Sequence, residues 1–236
     1  MHPDAATPTV LRTTAGDLPL HEYRLRLAGR EWAILHTGAL LTPIDEAYFL
    51  DGRQERVPYG VALWPSSIAL AHELIARAGE MSGTRLLELG AGTGLPGIVA
   101  ASLGARVTQT DRQELALTIC RRNVERNHAT GIECRAADWS AWDDPATYDW
   151  IIGSDVLYAE SMHPHLRAIM ETNLAPGGRV LLADPFRPRS LVLLEKLESS
   201  GWTVAMSTWS VGEEGVSQRI GLFELAPPRQ TLRQSP

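Results

Sequence analysis

The sequence predicts a doubly wound α/β domain closed by an antiparallel hairpin. Three observations carry this. Strand-like and helix-like runs alternate from residue 84 to residue 200, the pattern of a parallel sheet covered on both faces. A glycine-dense turn, Gly90-Ala-Gly92-Thr-Gly94, joins the first of these strands to its helix. Two final β-prone runs, 203–209 and 219–225, have no room for a helix between them and must pair antiparallel.

Element by element, residues 1–20 are rich in Pro, Thr and Ala and are expected to hang loosely. The runs 23–27 and 32–36 are β-prone and flank Ala28-Gly29-Arg30, which predicts a β-hairpin. After an irregular stretch reaching Gly60, Ile68, Leu70, Ala71, Leu74 and Ile75 form a one-sided apolar stripe, predicting a helix over 67–78. Residues 85–89 form the first strand of the alternating pattern. A proline in the first turn and Gly104 as a stop bracket a helix over 96–103. Strand 106–110, helix 113–127 and strand 132–136 follow. The helix gathers Ala116, Ile119, Cys120 and Val124 on one face, and the alternation in 132–136 suits a sheet edge. Strand 150–153, helix 162–174, a turn over 175–178, strand 179–183 and helix 190–200 complete the pattern. In the closing hairpin, 210–217 reads as a loop, and 227–236 as a polar tail. The division is thus an extension (1–58), a main domain (59–226) and a tail, without internal repeats.

Composition excludes several classes. At 236 residues, 44% hydrophobic and 21% charged, the chain is an ordinary globular domain able to bury a core without staples. A formal charge of −6 argues against a standing nucleic-acid surface. Two cysteines exclude a disulfide framework and are too few for a zinc cage. No basic-then-apolar start and no apolar run approaching ~18–20 residues is present, so neither a secretory signal nor a membrane span is expected, and the expected compartment is the cytoplasm. Lys196 is the single lysine among 22 Lys+Arg, which reads as composition bias.

The glycine turn is the motif that carries chemistry. Glycines let a ligand approach the backbone, and a helix N-terminus offers N–H groups. Asp111, ending the second strand, is placed to accept ribose hydroxyls. Two nucleotides compete for this geometry. Gly92-Thr-Gly94-Leu-Pro-Gly97 fits G-x-G-x-x-G and would suggest NAD. Glu88-x-Gly90-x-Gly92-x-Gly94 instead fits the loop that holds S-adenosylmethionine (SAM). An acidic Glu88 repels a pyrophosphate but suits the methionine ammonium, and the closing antiparallel hairpin resembles the sheet of methyltransferases rather than that of dehydrogenases.

The chain at this point resembles a class I, seven-strand methyltransferase, over residues 59–225. The resemblance implies a Rossmann-like, doubly wound sheet of order 3-2-1-4-5-7-6 with the seventh strand antiparallel. Within that class it is similar to methyltransferase family sixteen, the protein-lysine methyltransferases also described as nicotinamide N-methyltransferase-like, and to the branch acting on the electron-transfer flavoprotein β-subunit. Leu63-Trp64-Pro65-Ser66-Ser67, the loop 87–95, Asp138-Trp139, Ser154-Asp155-Val-Leu-Tyr158 and Ala183-Asp-Pro-Phe-Arg187 carry the likeness.

The resemblance implies that Trp64 borders the methionine end of SAM, that Glu88, Gly90, Gly92 and Gly94 form its loop, and that Asp111 binds ribose. It places Asp138 at the adenine amine and Trp139 beside the ring, with Arg112 and Ser154 among the cofactor contacts. Asp155 and Tyr158 are the catalytic candidates: the carboxylate orients the acceptor's N–H groups, and the ring borders the channel. Adenine and glutamine methyltransferases carry Asn-Pro-Pro-Tyr here, and Asp155-Val-Leu-Tyr158 departs from that. The remaining tryptophans read as packing.

Weaker signals complete the reading. Glu213 and Glu214 in the expected loop could attract a lysine-bearing segment. His163-Pro-His165 reads as a loop, with no metal predicted. Arg187 either lines the channel or ties down a carboxylate. The leading function is therefore SAM-dependent methylation of a protein lysine. A small-molecule amine, a non-catalytic SAM-binding module and an NAD dehydrogenase are the alternatives.

Overall fold

The structure, a computed structural model, describes residues 10–13, 16–38, 59–213 and 216–228. Two small hairpins come first. Strands β1 (Val10–Thr13) and β2 (Gly16–Pro19) pair antiparallel, as do β3 (His21–Leu27) and β4 (Arg30–His36). The second hairpin is the expected one, and Ala28 and Gly29 both turn it with positive φ (51° and 72°). The first corrects, for residues 10–13 and 16–20, the expectation that 1–20 hang loosely; the rest of that stretch lies outside the described residues. Leu11 and Leu20 are buried with Leu35, Val61, Ala116 and Ile119, so apolar burial organises a segment that composition alone marks as irregular.

The main body begins with helix α1 (Pro65–Ala76), which opens on a proline and starts two residues earlier than the apolar stripe suggests, followed by the short α2 (Ala78–Met81). Then β5 (Arg85–Leu89), α3 (Leu95–Ser102), β6 (Arg106–Asp111), α4 (Glu114–Arg126), β7 (Ile132–Ala136) and β8 (Tyr148–Ser154) alternate. Helix α5 (His163–Asn173), β9 (Leu174–Asp184), α6 (Pro188–Ser199), β10 (Thr203–Glu213) and β11 (Val216–Ala226) complete the chain. Sheet order is β10-β11-β9-β8-β5-β6-β7. The β5–β9 neighbours are parallel, whereas β11 runs antiparallel to both β9 and β10. Counting from β5, this is 3-2-1-4-5-7-6, the order the resemblance implies.

Side-chain alternation along the strands feeds two cores. Leu86, Ile152, Leu181 and Leu222 pack with α1 and α3 on one face. Leu87, Ile151, Leu182 and Phe223 pack with α5 and α6 on the other. Leu25, Trp32 and Ile34 of the second hairpin join the first core. Helix α4 grips that hairpin through two asparagines. Asn123 and Asn127 each accept from and donate to the β4 backbone, at Leu35 and Ala33, over 2.7–3.0 Å. The tryptophans read as packing do pack: Trp32 Nε1 donates to Ser102 Oγ, Trp142 Nε1 to Asn173 Oδ1 and Trp209 Nε1 to Glu73 Oε2.

Two boundaries differ from the sequence reading. The turn at 175–178 is a bulge within β9, because Tyr148 pairs with Leu174 and the next pair is Trp150 with Arg179. The expected loop at 210–217 is mostly strand: Ser210, Val211 and Gly212 pair with Arg219, Gln218 and Ser217. Burial of Val211 and Ile220 against the first core extends the ladder past Gly212, which by itself signals a turn. Glu213 closes the ladder, and Glu214, with most of the 227–236 tail, lies outside the described residues. No helix among the described residues is long and apolar enough to cross a membrane.

Candidate functional site

The parallel strands β5, β6 and β8 end on one side of the sheet, the side where ligands seat in open α/β sheets. There they border a cavity of about 620 Å³, within the size range of small-molecule sites. Trp64, Gly90, Gly92, Asp111, Arg112, Asp138, Trp139, Ser154, Asp155 and Tyr158, all singled out from the sequence, line it together. Glu88 and Gly94 do not.

The loop after β5 explains that difference. Gly90 has φ +66°, and a Cβ there would stand 2.9 Å from Val156 Cγ1 and 3.6 Å from the Trp139 ring. Gly94, at φ +82°, has Cys120 Sγ where its Cβ would reach 2.7 Å. It is required by the packing behind the loop. Glu88 lies buried behind the loop too. Its Oε2 accepts from the Gly97 amide (3.1 Å) and from Gln109 Nε2 (2.6 Å), while Oε1 has no hydrogen bond. Burial raises its pKa to about 8, against the pull of those two donors. The carboxyl that sequence reasoning set against a methionine ammonium therefore braces the loop and occupies an amide of the first turn of α3.

Gln109, on β6, is the residue that sequence reasoning missed. Its amide also donates to Gly94 O (2.9 Å), and its Oε1 accepts from Cys120 Sγ (3.2 Å). The available signal was a glutamine in the middle of a strand expected to be buried. Cys120 and Cys134 stand with sulfurs 3.6 Å apart beside it.

Asp111 ends β6 with Oδ2 accepting from Gly92 N–H (3.1 Å) and Oδ1 from Gln113 N–H (2.9 Å). Burial nevertheless raises its pKa. Asp138 is exposed and accepts from the Ser140 hydroxyl and amide, which lower its pKa. Trp139 follows it against the cavity.

Past β8 the chain turns sharply. Asp155 has φ +55°, and its N–H donates to Ala183 O (2.9 Å). A non-glycine residue in this region is strained and held by its surroundings. Its side chain is 8% exposed, with Oδ1 accepting from Arg187 Nη1 (2.6 Å) and Oδ2 without a hydrogen bond. Burial raises its pKa to about 6, with Arg187 opposing and Asp184 adding to the rise. Arg187 does both things the sequence allowed. It lines the cavity, and it holds Asp155 and Asp184 (3.1 Å) while lying 5.7 Å from the Trp64 ring centre. Phe186, just before it, is also at positive φ (63°). Tyr158 is 54% exposed at the cavity mouth, and Met162 and Arg189 add to the lining without any signal in the sequence.

His163 opens α5, as the helix expected over 162–174 requires and against the reading of His163-Pro-His165 as a loop, and its Nε2 lies 2.8 Å from Leu157 O. Among the described residues, no three His, Cys, Asp or Glu side chains converge as metal ligands.

Residues 51–197 match the family model described as lysine methyltransferase. Protein N-lysine methyltransferase METTL21A of Xenopus tropicalis is 39% identical over 48% of this chain and 56% of its own length. The Mus musculus protein of the same name is 38% identical over 57% of this chain and 66% of its own. The matched region thus spans less than two thirds of each relative. Among solved structures, glycopeptide N-methyltransferase MtfA superimposes with TM-score 0.57 at 20% identity, over 70% of this chain and 96% of that one.

Proposed function

The chain belongs to this lysine methyltransferase family, and from that premise we propose that it transfers the methyl group of S-adenosylmethionine to an amine nitrogen, that of a protein lysine. The observation that carries the reading is the meeting, in one cavity, of the glycine loop and Asp111 with the buried Asp155.

The cofactor fits the residues present. Gly90 and Gly92 keep side chains out of the loop's cavity face, Asp111 accepts ribose hydroxyls, Asp138 accepts the adenine amine, and Trp139 covers one side of the ring. Trp64 borders the methionine end, with Arg112 and Ser154 along the lining. A diphosphate suits the loop less well, because the Gly97 amide already donates to Glu88.

When bound, the sulfonium would supply an electrophilic methyl for in-line transfer to the nitrogen lone pair, its C–S bonding pair leaving on sulfur; the acceptor ammonium would give its proton to water beforehand, and the methylated nitrogen would keep the positive charge. The protein's task is to bring the acceptor in neutral and in line. A lysine amine has an unperturbed pKa of about 10.4, so desolvation and orientation dominate. Asp155 accepts a hydrogen bond from the amine and points its lone pair at the methyl, while Tyr158 borders the acceptor's path.

The test is transfer of isotope-labelled methyl from SAM into desalted host lysate, with Asp155→Ala as blank. Protein label that hydrolyses to methyl-lysine and vanishes in the variant supports the reading. Methyl-arginine, or label confined to an added-back metabolite fraction, reassigns the acceptor, and no label in any fraction overturns methyl transfer.

A further inference from the structure

Asp155 is an unusual carboxylate, enclosed, strained at φ +55° and hydrogen-bonded through one oxygen only. The groups that face it are few. From α1 comes the Ser66 hydroxyl, which favours the charged form. From the turn after β9 come Asp184, which opposes it, and Arg187, which supports it. Among the described residues, Arg187 is the cation that acts most strongly on this carboxylate. It is itself fixed: Asp184 accepts from its backbone N–H (2.8 Å) and from Nη1, the Trp64 ring lies against its guanidinium, and only 18% of its side chain is exposed. Asp184 is tied in turn by the Ser190 hydroxyl (2.7 Å). One guanidinium nitrogen, Nη1, thus ties the Asp155 and Asp184 carboxylates together through charge-assisted hydrogen bonds.

We propose that Arg187 is a positioning residue for methyl transfer: by gripping Oδ1 it keeps the Asp155 carboxylate charged and fixed, so that this carboxylate can accept the hydrogen bond that aims the acceptor amine. The proposal rests on the reading of the site as an amine methyltransferase. Without Arg187, a buried carboxylate next to Asp184 takes up a proton near neutral pH and ceases to be a full acceptor for the amine. Because the same acceptor titrates with either enzyme, the ratio of wild-type to variant rates isolates Asp155.

The experiment compares wild type, Arg187→Gln and Arg187→Lys by two readouts. The first is the titration of the Asp155 side-chain carboxyl in carbon-13-labelled aspartate samples, its resonance identified by its absence in Asp155→Asn. The second is methyl transfer from labelled SAM into lysate protein, between about pH 6.5 and about pH 9.5. Arg187→Gln is expected to move the carboxyl titration up by about two units. Its rate deficit is expected to be about tenfold or more near pH 7, shrinking to within about threefold at the alkaline end. Arg187→Lys restores most of both. An unmoved titration, or a deficit constant across pH while wild type transfers label normally, overturns the role of Arg187 and leaves the function intact. Wild type that binds SAM but transfers no label to any fraction overturns the methyl-transfer reading, and this proposal with it.

Discussion

Replacing Glu88 by Gln probes the buried carboxyl beneath the glycine loop. In the native fold the group keeps its proton up to about pH 8, whereas in the unfolded chain it releases it near 4.5. The folded state thus binds more protons between these values, and stability falls as pH rises through that window. Working the two binding equilibria between about pH 5.5 and about pH 8 gives a loss of about 3 kcal/mol from this one group. Glutamine cannot ionise, yet its carbonyl can still accept from Gly97 N–H and Gln109 Nε2. Urea unfolding without cofactor should therefore show wild type losing stability relative to Glu88→Gln by roughly that amount as pH rises. A difference between the two proteins that stays within about 0.5 kcal/mol across the window would refute the assignment of Glu88 as a protonated brace.

Three other substitutions test the site. Asp155→Asn should lower methyl transfer by about a hundredfold or more while calorimetry finds SAM affinity within about threefold of wild type, because the side chain acts on the acceptor. Asp111→Ala should weaken SAM binding by about tenfold or more, losing charge-assisted hydrogen bonds to ribose and leaving the Gly92 and Gln113 amides without their acceptor. Unchanged affinity would remove Asp111 from the ribose site. Gly94→Ala should cost about 2–3 kcal/mol in urea unfolding, since it combines a left-handed backbone with a Cβ driven into Cys120 Sγ.

Much of the architecture was legible because the signals are local. Each strand of the alternating pattern is a short apolar run, and the glycines of the β5–α3 turn need a conformation other residues resist. Ten of the twelve candidate site residues share the cavity, nine of them because they end or follow strands that converge there and Trp64 because it precedes helix α1. Glu88 and Gly94 departed for one reason: motif spacing records which residues a loop needs, without saying on which side of it they lie. Gln109 and Arg187 became clear only through contacts across the fold, with Cys120 and Glu88 in one case and with Asp155 and Trp64 in the other. The β1–β2 hairpin eluded composition because Leu11 and Leu20 gain their burial from helix α4, about a hundred residues away.

The asparagines of α4 carry one more consequence. Asn123 spends its amide group on two carbonyls at once, Leu35 in the N-terminal hairpin and Thr93 in the glycine loop. The segment matched by the family model begins at residue 51, yet the loop at its heart is anchored through a side chain shared with residues 30–36. The stretch that identifies the family is therefore shorter than the stretch that must fold together, and a boundary drawn by likeness would cut through a hydrogen-bonded joint.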